Sequence, residues 1–127
     1  MDKNLKTIGI GTKEAIKLTP KKCIVESVED KFVEKAKATK AVFHLKHPDQ
    51  AETIAVSSVF LSRRKKDKEE ITNFATWYNL DSEDKIQKNC PLAMLLKYYN
   101  VSNALEMIGK EVETKEESSG YLAIKAY

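Results

Sequence analysis

The chain has 127 residues, 42% hydrophobic and 32% charged, with a formal net charge of +3 from 22 basic and 19 acidic side chains. The length is that of one domain, and the composition is that of a folded core with a well-solvated surface, which excludes a disordered chain. A charge of +3 is too small to make the whole surface a polyanion trap, and no run approaches the roughly 18 apolar residues of a membrane span.

Charge is unevenly spread: Met1 to Lys22 carries six lysines against Asp2 and Glu14, and the run Arg63-Arg64-Lys65-Lys66 is the other basic concentration. Residues 1–14, with Gly9 and Gly11 around Ile10, are expected to form a flexible or edge-lying arm, and residues 15–127 a single domain. The N-terminus shows no apolar stretch of a secretory leader. Cys23 and Cys90 match no paired spacing, so a reduced, cytoplasmic setting is expected.

Along the chain, Cys23, Val25 and Ser27 alternate with Ile24, Glu26 and Val28 at the period of a strand. Asp30 to Lys40 is charged and reads as a turn, with a helical stretch around Phe32 to Ala38, before a second strand at Ala41 to Lys46. His47-Pro48-Asp49-Gln50 is a turn signal. Thr53 to Leu61 is rich in β-branched and aromatic residues; Arg63 to Glu70 is almost wholly charged and reads as a solvated loop; Ile71 to Leu80 resumes strand character. After the polar loop Asp81 to Asn89, Asn89 is the expected N-cap of a helix with Pro91 in its first turn and Leu92, Leu95, Leu96 and Tyr99 on one face. Ser102 starts a second helical turn bearing Leu105 and Ile108, and Gly109 stands where a left-handed cap is needed. Val112 to Lys115 and Gly120 to Tyr127 form a closing hairpin.

Three or four strands, a helical segment over 91–108 and two final strands give a mainly β order. It fits a five-stranded OB-like Greek-key barrel whose helix lies between the third and fourth strands. An α+β sandwich is the alternative.

Several patterns of catalytic or ligand sites fail on spacing. Gly9-Ile10-Gly11-Thr12-Lys13 lacks the G-x-x-x-x-G-K-[ST] form and a preceding strand. His44 and His47 differ by three positions and so leave a strand on opposite faces, and neither cysteine has a near partner, so no zinc site is expected. Cys23 is expected to be partly buried and the histidines to lie on the surface. Asp81-Ser82-Glu83-Asp84 lacks the glycine and twelfth-position glutamate of a calcium loop. No G-x-S-x-G elbow is present, so neither an enzyme nor a cofactor is expected.

The aromatic set is different. Trp77 and Tyr78 are adjacent on one strand and must face opposite ways. With Phe43, Phe60 and Phe74 they accompany Arg63, Arg64, Lys65, Lys66 and Lys68, and rings that stack on bases beside cations that track phosphates are what a single strand of nucleic acid needs. The bland reading places the same rings in the core. A second expectation is assembly with itself or another protein through the edge of Thr53 to Leu61 or of the C-terminal strand.

Lys22-Cys23-Ile24-Val25-Glu26-Ser27-Val28-Glu29, Trp77-Tyr78-Asn79-Leu80, Leu92-Ala93-Met94-Leu95-Leu96, Ile108-Gly109-Lys110-Glu111-Val112 and Tyr121 to Tyr127 resemble a group of phage and prokaryotic OB-like proteins. The resemblance covers residues 21–127 and implies single-stranded DNA binding associated with replication, with no catalytic residues to carry over.

Overall fold

The computed structural model describes residues 5–7, 9 and 18–127, and of Leu5, Arg64 and Lys65 only the backbone. Most of the expected arm, including Ile10 to Lys13, lies outside the described residues. Among them are eight strands and one α-helix, a mainly β fold.

β1 (Cys23–Val33) buries Cys23 and Val25 while Ile24 and Glu26 stay exposed, and a bulge between Val25 and Ser27 turns Val28 back towards the interior. β2 (Ala38–Lys46) pairs with it antiparallel from Ile24 opposite Lys46 to Val33 opposite Ala38. The turn expected over Asp30 to Lys40 is therefore only Glu34 to Lys37, with Lys37 at φ +49°, and no helix forms there. Cross-strand hydrogen bonds hold charged residues such as Asp30, Lys31 and Lys40 extended against their weak strand propensity.

β3 (Ile54–Val56) pairs with β2; after Ser57 the chain resumes as β4 (Ser58–Lys65). β4 and β5 (Lys68–Ala75) form a hairpin. The charged run expected as a loop is thus mostly strand. Arg63 stands opposite Glu70 and Arg64 opposite Glu69, a backbone register that matches basic with acidic positions along the ladder. Lys66 and Asp67 make the two-residue turn at φ +49° and +63°, the positive values a tight hairpin needs.

Thr76 ends that pairing. Its N–H donates to Ser57 O and its carbonyl accepts from Ala41 N, each at 3.0 Å, and its hydroxyl donates to Ala41 O. The chain then crosses to β2 as β6 (Trp77–Tyr78).

α1 (Pro91–Tyr98) begins from Cys90, not Asn89, as the N-cap. It buries Leu92, Leu95 and Leu96 against β4, β6 and β8 (Leu122–Ala126). A 3₁₀ turn (Ala104–Met107) is capped not by the expected Ser102 but by the next residue, Asn103, whose side-chain oxygen accepts from Glu106 N at 3.0 Å. Gly109 takes φ +88°, as its place after that turn requires. β7 (Glu111–Glu116) and β8 close the chain as the expected hairpin.

The sheet runs β3-β2-β1-β7-β8-β4-β5 as an open hydrogen-bonded path, with β6 beside β2 and the β4–β8 pair alone parallel. Within it, β7-β1-β2-β3 is the Greek-key order in which a fourth strand returns beside the first. The expected strands before the helix number six because they break at Ser57 and Thr76.

The core gathers Val25, Phe43, Leu45, Val59, Leu95, Met107, Val112 and Ile124, with Tyr78 packed at its margin. His47, expected on the surface, is fully buried: its Nε2 lies 2.7 Å from Thr19 O and its Nδ1 accepts from Asp49 N at 3.0 Å. A side chain whose two polar atoms are both satisfied by backbone groups can be buried cheaply.

Candidate nucleic-acid interface

The residues singled out by the sequence separate into three places. Phe43 faces the core at 0% exposure and is corrected out of the set, because Ala41, Phe43 and Leu45 are the inward positions of β2. Arg63, Lys66 and Lys68 lie exposed at the β4–β5 hairpin, on which Arg64 and Lys65 are placed by their backbone alone. Trp77 and Tyr78 stand at the other end of β5, whose eight residues span roughly 26 Å. Trp77 and Tyr78 are therefore not assembled with the basic run, whose ring contact is Phe74.

The hairpin tip is weakly basic, its five cations offset by Asp67, Glu69 and Glu70. Arg63 holds its guanidinium 5.1 Å from the Phe74 ring. Ser62 donates to Glu69 at 2.6 Å.

Trp77 finds other partners. It pairs with Lys40 on β2, and Lys40 pairs on its other side with Lys31 of β1, so Lys31, Lys40 and Trp77 form one row across three strands. Alternation puts this row on the face away from Phe43. Lys31 is exposed, Lys40 and Trp77 are half-buried, and the Lys40 Nζ lies 5.9 Å from the indole centroid, at the limit of a cation–π contact. The nearest acid on that face of β1, Glu29, is engaged by His44 at 3.1 Å.

Tyr78 belongs to the opposite face, as adjacent strand positions require. Burial pushes its phenol pKa up and the Asp30 charge adds to that, so the hydroxyl stays a neutral donor.

A second aromatic and basic cluster was not visible in the sequence, since it joins β4, β7 and β8. Lys115 Nζ lies 4.9 Å from the Phe60 ring and 5.2 Å from the Tyr127 ring, and donates to the Tyr127 hydroxyl at 2.8 Å. Lys125 Nζ lies 4.8 Å from the same Tyr127 ring and 3.8 Å from Glu113. Both ammonium groups are spent on local rings and a carboxylate, so this cluster is self-satisfied, whereas Lys31 in the Trp77 row stands exposed. The missed pair Lys31 and Lys40 had a signal: a turn centred on Glu34 to Lys37 sets them opposite each other by symmetry.

Other chemistry finds little footing. Burial pushes the Cys23 thiol pKa up, away from a reactive thiolate. Among the described residues no three His, Cys, Asp or Glu side chains group to hold a metal ion, and no helix is long and apolar enough to cross a membrane. The C-terminal strand, β8, pairs with β7 over Leu122 to Lys125 and with β4 over Ile124 to Ala126. No family model matches the chain, and no curated protein or solved structure matches it.

Proposed function

We propose that this protein is a non-catalytic binder of single-stranded nucleic acid, taken as DNA on the resemblance to phage-type proteins. Bases stack on Trp77, and Lys31 and Lys40 meet the phosphates. The observation that carries it is the Lys31–Lys40–Trp77 row, a half-exposed indole with cations along one sheet face. The β4–β5 hairpin, with Arg63, Arg64, Lys65, Lys66 and Lys68, serves as an auxiliary electrostatic arm rather than as the stacking site.

Connectivity supports the same function. Counted as one strand bent at Ser57, β3 and β4 bring the two arms of the sheet together, and β1, β2, β3–β4, β7 and β8 become a five-stranded OB-like barrel with α1 between the third and fourth strands. Such barrels take oligonucleotides on the face of their second and third strands and at the loop after the first. Lys40 lies on the second strand, next to that loop.

The test is titration of the protein into a labelled oligonucleotide at several salt concentrations. Trp77 is the one tryptophan of the chain, so its quenching reports stacking without ambiguity. Lys31→Ala with Lys40→Ala should lower the log–log salt slope by roughly 1.4, about 0.7 for each phosphate that the protein no longer neutralises. Absence of binding and of quenching at low salt would overturn the proposal; an unchanged slope in the double variant would move the phosphate contacts elsewhere.

A further inference from the structure

The row next to that of Trp77 has its own geometry. Phe32, Thr39 and Tyr78 are the next row across the same three strands. Together with Trp77, Leu80 and Pro91 they line a groove of about 600 Å³, within the range of small-ligand sites.

Two features set this groove apart from ordinary surface. Phe32 is 61% exposed and Leu80 52% exposed, so two large apolar side chains stand in water at its walls. Its one charged lining residue among those described is Lys37. A smaller groove of about 290 Å³ on the other side of Tyr78 has the opposite sign, with Glu29 and Asp30 as its charged residues. The two grooves thus differ in the sign of their charged lining residues.

We propose that the groove between Phe32, Tyr78 and Leu80 receives a nucleobase of the same single strand, adjacent in sequence to the base stacked on Trp77. This rests on Trp77 as the stacking platform. β6 then joins two neighbouring base sites: Trp77, which also lines the groove, presents the stacking ring, and Phe32 with Leu80 encloses the adjacent base. Lys37 and Lys40, on the two sides of Ala38 and Thr39, are placed for the linking phosphates. A ring face packed between apolar side chains needs no particular base, so the groove adds affinity without sequence preference.

Phe32→Ser and Leu80→Ser test this directly, since both residues are exposed and neither supports the core. Binding of a fluorescein-labelled oligodeoxythymidylate, with thermal unfolding as the control for folding, should weaken about tenfold in each variant. The salt slope should stay unchanged because no cation is removed. Trp77 quenching at saturation should persist. Wild-type affinity in both variants, with quenching intact, would overturn the groove as a base site and leave the Trp77 platform standing. Absence of both binding and quenching in the unaltered protein would overturn platform and groove together. Self-association measured by light scattering that disappears in the variants, with oligonucleotide affinity unchanged, would give the groove to a second copy of the chain and overturn the proposal.

Discussion

The two ends of β2 are built in opposite ways. At the Lys46 end, the fully buried His47 ties the chain at Thr19 to the turn at Asp49. Lys21 is held twice by Thr114, its N–H donating to the hydroxyl at 2.9 Å and its carbonyl accepting from that hydroxyl at 2.6 Å. Lys21 also pairs with Asp49 at 2.7 Å, and this bond holds the Asp49 carboxyl pKa below its ordinary value. At the Ala38 end, Phe32 stands in solvent and Trp77 is only half covered. A strand locked at one end can present costly exposed rings at the other without loss of register, which is how a rigid scaffold carries a site.

Substitutions along this gradient should show effects that fall from the core outwards. Phe43→Ala, midway along β2, should cost about 3–5 kcal/mol in urea unfolding because it empties a fully packed site. His47→Leu comes next: it leaves Thr19 O and Asp49 N unsatisfied and should cost about 2–4 kcal/mol. Oligonucleotide affinity should be unchanged in that variant; a loss of affinity matching the loss of stability would mean that the two ends are coupled.

Tyr99→Phe should cost about 1–2 kcal/mol. Its hydroxyl donates to Lys125 O at 2.6 Å and accepts from Glu113 N at 3.2 Å, fastening the end of α1 to β8 and β7. Burial pushes its pKa up from 10.0 to about 12, against the bond to Glu113 N, which favours the anion. The folded state therefore holds the proton more tightly than the unfolded state. Its contribution is present in full below pH 10 and is lost as pH rises towards 12. The phenylalanine variant should lack that alkaline loss in unfolding curves taken across the interval. Smallest of all, Phe32→Ser at the open end should shift stability by no more than about 0.5 kcal/mol; a larger loss would show that Phe32 supports the fold.

Much of the second half of the fold was legible. Leu92, Leu95, Leu96 and Tyr99 mark one helical face around Pro91, and the last two strands pair as a hairpin about the turn that holds Gly120. The first half was harder. Lys31 and Lys40 lie in strands only because each has a partner across the ladder, and residue type does not encode register. Phe43 was assigned to its strand but to the wrong side, since Val42 is also nearly buried and blurs the alternation. His47 resembled a surface residue in a Pro-containing turn, because Thr19, which satisfies it, is distant in sequence. Trp77 and Tyr78 were legible as neighbours on one strand, whereas the lysines in register with Trp77 come from neighbouring strands and not from the obvious basic run.

The pairing of Cys23 and Ile24 with Val112 and Glu111 joins opposite ends of the sequence, and this has a consequence during synthesis. At about 5–20 residues per second, β1 emerges several seconds before the strand that covers its first residues. During that wait a nascent β1–β2 hairpin has an open edge, the kind of template on which chains aggregate. Glu26, Glu29, Asp30 and Lys31, all exposed on β1, put charge along the waiting strand.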